Sequence, residues 1–339
     1  MQISKHVRSL KDQQTAFKST AGSITRLGRD QLPILEGLSL RRLVLKPNAI
    51  REPHWHANAN ELGYCVRGQA LVTIVGNHGS REVFLIGIGE MFFFPSGTVH
   101  AIENIGVAEA EFILSFSNEE PEDFSLSGAF DVMSDPVLLS TFEWKQQKSL
   151  DFGRLNENTE IFDLHSKPII EKQALHPNRL KFGVEEVAPH VSSPAGSART
   201  AQAPAWPALD GISMFSVRIN EIGLREPHWH PETAEMGYVL EGTGQMTVLD
   251  PDGSADTYSI RPGDVYFVPP AYPHHIENTG NGTLHILIFF SRNAPQDIGY
   301  RAAAAGYSRD VMAAELGLFE HALPPLPIDI VDPLIVTRL

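Results

Sequence analysis

Arg51–Gly68 reads REPHWHANANELGYCVRG, and Arg225–Gly242 reads REPHWHPETAEMGYVLEG. The two stretches lie 174 positions apart. The same offset pairs Gly79 with Gly253, Gly89 with Gly263, Pro95 with Pro269, His100 with His274 and Asn104 with Asn278. It still holds at Phe116 and Phe290, Ser117 and Ser291, Pro121 and Pro295, and Asp123 and Asp297. Two copies, each long enough to bury its own core, describe two similar domains rather than a solenoid. The division is expected at 1–155 and 156–339, with the link between copies inside residues 145–180.

Within each copy the hydrophobic period is that of strands. Leu71–Val75, the turn Asn77-His78-Gly79, and Glu82–Ile86 form a hairpin pattern, and Gln245–Leu249 followed by Asp250-Pro251-Asp252-Gly253 repeats it. Met91–Phe94 and Val265–Val268 are strands stopped by Pro95 and Pro269, and Glu111–Phe116 and Leu284–Phe290 are further strands. Short strands at regular spacing predict an all-β protein of two antiparallel barrels of jelly-roll type. Each barrel is followed by a short helical pattern, Phe130–Phe142 and Ser308–Leu318.

The chain has 339 residues and a formal net charge of −14, which disfavours nucleic acid and anionic membranes as partners. No apolar run approaches the ~20 residues of a membrane span. The N-terminus lacks the apolar core of a signal peptide, so a cytoplasmic protein is expected. Cys65 is the single cysteine and reads as a small core residue.

His54 and His56 are two apart, so on a strand both imidazoles face one way. Glu61 follows after a short turn, and His100 arrives from a distant strand. The second copy supplies His228, His230, Glu235 and His274 at the same spacings. Three imidazoles and a carboxylate suit a first-row divalent metal, one per domain, and leave positions open for a substrate carboxylate or dioxygen. His275 is the rival to His274, and the alignment with His100 favours His274. His78 and His285 read as structural.

These residues carry both cupin motifs. The first is His54-x-His56-x4-Glu61-x6-Gly68 and its copy His228-x-His230-x4-Glu235-x6-Gly242. The second is Gly89-x5-Pro95-x-Gly97-x2-His100-x3-Asn104 and its copy, in which Ala271 replaces the motif glycine. The R-E-x-H-W-H of both halves resembles the bicupin oxalate decarboxylases. That resemblance implies manganese and a small carboxylate substrate, and it carries over Arg51 and Arg225 as substrate-holding arginines. Strict alternation puts Arg51 on the face opposite His54, so the implied role requires local twist or a bulge at Pro53 to bring it inward.

The family's Ser-Glu-Asn-Ser-Thr lid, with its proton-donating glutamate, is absent. Ser117-Asn118-Glu119-Glu120-Pro121-Glu122-Asp123 stands there, and Glu119 or Glu120 is the candidate acid. The second copy, Ser291–Asp297, lacks both glutamates, which favours the first domain for chemistry. Four residues rather than three separate His56 from Glu61, and Gly63 and Gly237 replace larger residues of that family. The leading expectation is a manganese-dependent carboxy-lyase acting on oxalate. A cupin oxidase or dioxygenase and a non-enzymatic storage protein stay open, as do iron, cobalt, nickel and zinc. Homo-oligomers formed through sheet faces or edges are compatible with this architecture.

Overall fold

The computed structural model describes residues 4–144, 159–166, 169–326 and 333–339. It holds four antiparallel sheets, two per repeat: one of seven and one of six strands in each half. In the first half, strand Ala49–His56 pairs with Val99–Asn104, which pairs with Gln69–Val75 and then Arg81–Gly87. The facing sheet runs Met91–Phe94, Glu61–Arg67, Ala110–Phe116, Ser39–Leu45 and Gly22–Leu27. The second half repeats both orders with Gly223–Trp229, His274–Asn278, Gly244–Leu249 and Ala255–Ile260, faced by Asp264–Val268, Glu235–Glu241, Leu284–Phe290 and Ser213–Ile219.

The motif residues explain their own turns. Asn104 is fully buried, and its side-chain amide donates to Leu45 O and Ala108 O, tying the turn after its strand. Asn278 does the same with Ile219 O and Gly282 O. Gly97 takes a positive φ of 76° and donates its N–H to His56 O. Ala271 adopts the same left-handed backbone, φ 64°, and donates to His230 O, so the glycine's place is kept at a steric cost.

The barrels exchange edge strands. Val7–Ser9, near the N-terminus, adds to Asp264–Val268 of the second barrel. Lys181–Phe182 adds to Met91–Phe94 of the first. Ile161–Asp163 pairs with Ala49–His56 as Ile335–Thr337 pairs with Gly223–Trp229, so these two stay with their own barrels. Each exchanged strand covers an edge that would otherwise expose unpaired backbone groups. The division expected at 155/156 falls within residues 145–158, outside the described residues. One apolar cluster runs unbroken from Leu40, Leu62 and Ile113 to Met214, Met236, Leu287 and Phe289, so the two sheets of seven share a core.

The helical pattern over Phe130–Phe142 resolves into two short helices, Leu126–Asp131 and Asp135–Thr141. The break falls where Ser134-Asp135-Pro136 starts the second helix, because proline is tolerated in a first turn and disrupts an interior. After the second barrel lie Tyr300–Ala305 and Arg309–Glu315, the latter capped by the Ser308 hydroxyl accepting from Val311 N–H. No helix among the described residues is long and apolar enough to cross a membrane. Cys65 is fully buried, and burial pushes its thiol up to about 12.

Candidate metal centres

Strand Ala49–His56 carries His54 and His56 into the first barrel, and the neighbouring strand brings His100 directly opposite His54. Glu61 opens the next strand of the facing sheet. The ligand atoms of these four side chains lie within 4.8 Å of one another, and so do those of His228, His230, Glu235 and His274. All eight are buried. His275 lies outside the set, with its Nε2 3.3 Å from Glu277 Oε1. His285 belongs to a separate buried cluster with Ser216 and Glu185.

The imidazoles are preset to offer Nε2. A carbonyl oxygen can only accept, so each Nδ1 facing one must carry the proton. His54 donates to Glu52 O at 2.7 Å, His100 to Thr98 O at 2.9 Å, His228 to Glu226 O at 2.7 Å, His230 to Gln296 O at 2.8 Å and His274 to Tyr272 O at 2.9 Å. Such outer contacts fix tautomer and ring orientation in metal sites. Burial, reinforced by Arg51 and Arg225, holds His54 and His228 well below the usual imidazole range and therefore neutral. Burial would raise Glu61, but the imidazoles of His100 and His56 outweigh it and hold the carboxyl at about 2. The Nε2 atoms of His100 and His228 are buried without a hydrogen-bond partner among the described residues. Neutral nitrogens with free lone pairs, gathered around an ionised carboxylate, fit a divalent cation.

Arg51 lies on the same face as His100. Ile102 pairs with Arg51 while His100 pairs with His54, so Ala101 on one strand opposes both Glu52 and Pro53 on the other. This bulge at Glu52-Pro53 reverses the alternation and turns the guanidinium inward. Arg225 is placed by the same irregularity, opposite Ile276. Arg51 is buried and reaches Glu52 Oε1 at 3.2 Å, Glu160 Oε2 at 3.4 Å and Asp123 Oδ2 at 3.5 Å.

Asp123 is the residue that pattern reasoning passed over. Its Oδ1 accepts from His56 Nδ1 at 2.7 Å, and Arg41 grips both of its oxygens, at 2.5 and 3.0 Å. Burial opposes its ionisation, but His56 and Arg41 prevail and keep the carboxyl far below its ordinary range. A signal existed: an acid recurs at the repeat offset, as Asp123 and Asp297, in a segment that otherwise diverges. Arg41 and Glu160 had no such signal, because their counterparts are Phe215 and Leu334.

The loop at 117–122 lies beside the first centre. Ser39 Oγ donates to Asn118 O at 2.7 Å. Glu119 accepts from Gly37 N–H at 2.8 Å and pairs with Arg29 at 3.5 Å. Glu120 is exposed, and among the described residues none hydrogen-bonds its carboxylate. A cavity of about 480 Å³ opens between this loop and the strands bearing Arg26 and Arg41, with Glu119 and Glu120 in its wall.

Gly63 and Gly237 make room for a ring. An added Cβ would stand 2.1 Å from Phe92 Cζ in the first barrel and 2.1 Å from Tyr266 Cε1 in the second. In the second barrel that ring is functionalised: Tyr266 donates its hydroxyl to Glu235 Oε1 at 2.7 Å.

Comparison with known proteins agrees with this geometry. The Cupin family model matches residues 8–149 and 182–320. Over 308 residues the chain is 31% identical to oxalate decarboxylase OxdC of Bacillus subtilis (strain 168), covering 85% of this chain and 76% of that protein. Over 336 residues it is 25% identical to an oxalate decarboxylase of Arthroderma benhamiae, covering 89% of this chain and 76% of that one. The structure of the Bacillus subtilis oxalate decarboxylase at pH 4.6 superposes with a TM-score of 0.86 at 26% identity, covering 100% of this chain and 89% of that chain. A second structure of that enzyme, from work on its Mn(II) centres, matches with a TM-score of 0.86 at 27% identity.

Proposed function

The chain belongs to the cupin family, and we propose that it is a manganese-dependent carboxy-lyase that converts oxalate to formate and CO₂ at its first centre. The observation carrying this reading is the pairing of a complete, buried three-histidine, one-glutamate set with an inward arginine on the same face. The similarity to oxalate decarboxylases over most of the chain supports the substrate, and a relative with Mn(II) centres supports the metal.

His54, His56, Glu61 and His100 would hold the ion, and His228, His230, Glu235 and His274 would hold the second. A bound divalent ion supplies Lewis acidity to a substrate carboxylate taken at an open position. Arg51 holds that carboxylate and offsets charge as it develops in a water-poor site. The carbon–carbon bond breaks, CO₂ leaves, and the electron pair stays on the remaining carbon. A loop carboxylic acid protonates that carbon and yields formate. Glu120 is the better placed of the two loop acids, since Gly37 and Arg29 already engage both oxygens of Glu119. Arg41 and Asp123 keep the His56 ring oriented throughout. Oxalate binds as an anion despite the net charge of −14, because the local arginines set the field at the site. A buried, lone Cys65 is compatible with a cytoplasmic setting.

Incubating the Mn-loaded protein with oxalate and measuring formate and CO₂ tests the proposal. One formate per oxalate is expected, with Glu120→Gln losing activity and Glu119→Gln keeping more of it. Oxygen uptake with peroxide release and no formate would replace this reading with a cupin oxidase.

A further inference from the structure

The two centres differ in what their loop aspartate does. In the first, Arg41 and His56 Nδ1 draw Asp123 to the outer side of the His56 ring. In the second, Phe215 replaces Arg41, and His230 Nδ1–H donates to the Gln296 carbonyl instead. Asp297 is therefore released from that ring, its Oδ1 3.8 Å from His230 Nδ1.

Asp297 Oδ2 pairs with Arg225. Its Oδ1 is buried without a hydrogen-bond partner among the described residues and lies 3.9 Å from His228 Nε2. His228 Nε2 is itself buried and without a partner. Its Nδ1 donates to Glu226 O, so in the singly protonated ring Nε2 presents a lone pair. Two buried lone-pair carriers thus lie near each other with no proton to share. Left so, each bears the full cost of an unmet polar group. A divalent cation between them relieves both at once.

We infer that Asp297 is a fifth protein ligand of the second centre, and that it stands where a substrate carboxylate would, with one oxygen toward the ion and the other on Arg225. The inference deepens the proposed function and rests on its assignment of metal to the second residue set. The second centre is then closed to small carboxylates by the chain's own carboxylate. The first stays open because Arg41 holds its aspartate aside.

The test uses full-length protein carrying His100→Ala, so that Mn(II) is retained at the second centre alone, and reads electron paramagnetic resonance with deuterium-exchangeable water. The expected result is a Mn(II) signal that added oxalate leaves unchanged. Asp297→Asn in the same background should weaken Mn(II) binding by roughly tenfold or more, add exchangeable water, and make the signal respond to oxalate. A second centre that responds to oxalate with Asp297 intact, that binds no Mn(II), or whose affinity and hydration ignore Asp297→Asn, overturns the inference. Should His100→Ala not fold, the protein with both sites filled gives the same answer. Oxalate should then perturb one of its two Mn(II) signals, and perturbation of both overturns the assignment. Absence of formate production, with the Asp297→Asn changes as described, would overturn the first-centre reading and leave Asp297 a ligand.

Discussion

The two halves of this protein build the same cradle and surround it differently. In the first, a connected set of charges backs the ligands: Arg26 and Arg51 meet Glu160, and Arg41 and Arg51 meet Asp123, which holds His56. In the second, Thr200, Phe215 and Leu334 stand at the positions of Arg26, Arg41 and Glu160. Among the described residues the Arg225–Asp297 pair of that network persists, and His230 lies 3.8 Å from Asp297 rather than in a hydrogen bond with it. What the second centre gains is Tyr266, whose hydroxyl holds Glu235 where Phe92 leaves Glu61 to the imidazoles. The lesson is that ligand identity is set by a few residues of local spacing, while the chemistry of a site is tuned by side chains from distant strands. A duplicated site diverges first in those distant side chains.

The largest expected contrast is between the two arginines. Arg51→Ala should lower kcat/KM for oxalate by roughly 10²–10³-fold, the usual cost of losing one group that stabilises developing charge. Arg225→Ala should change it by less than about tenfold if Asp297 closes the second centre to substrate. Steady-state formate release by the two variants checks this, and equal losses would erase the functional distinction between the halves.

Asp123→Asn comes next. The amide removes the charge that pairs with His56 and Arg41, and Mn(II) affinity at the first centre should fall by roughly 10–100-fold, as for other outer partners of metal-bound histidine. Metal titration followed by magnetic resonance reads it. The second centre should be unmoved. Tyr266→Phe is the reverse experiment. It removes one hydrogen bond to a charged group, worth about 1.5 kcal/mol, and should weaken the second centre by about tenfold with the first unaltered.

The smallest effect is on stability. Gly63→Ala drives a methyl into the Phe92 ring, and overpacking of this kind costs about 1–3 kcal/mol. A fall of several degrees in Tm is expected by calorimetry on the metal-free protein. Gly237→Ala meets Tyr266 in the same way and should also loosen Glu235, so its metal affinity falls along with its Tm.

Much of this was legible in advance, for reasons that can be located. The strand period and the repeat at one fixed offset carried the fold, because alternation and turn chemistry act over a few residues. The ligand sets were legible because His54 and His56 share a face by spacing alone, and because the duplication removed the ambiguity between His274 and His275. The reading of Phe130–Phe142 as one helical stretch followed the apolar pattern and missed the break at Pro136, a local signal that was there to be read.

Local pattern could not say where Arg51 points, since the bulge that turns it inward is a register shift against His100–Ile102 on another strand. Nor could it pair Val7–Ser9 with the far barrel, bring Arg41 to Asp123 or bring Glu160 to Arg51, contacts that span from about 80 to about 260 positions of chain. Residue order was enough to specify two barrels and two sets of three histidines and one glutamate that fit a metal, each a consequence of short-range geometry. Where Asp123 and Asp297 lie was settled by packing across sheets, because the position of a buried carboxylate depends on the charges that surround it in space.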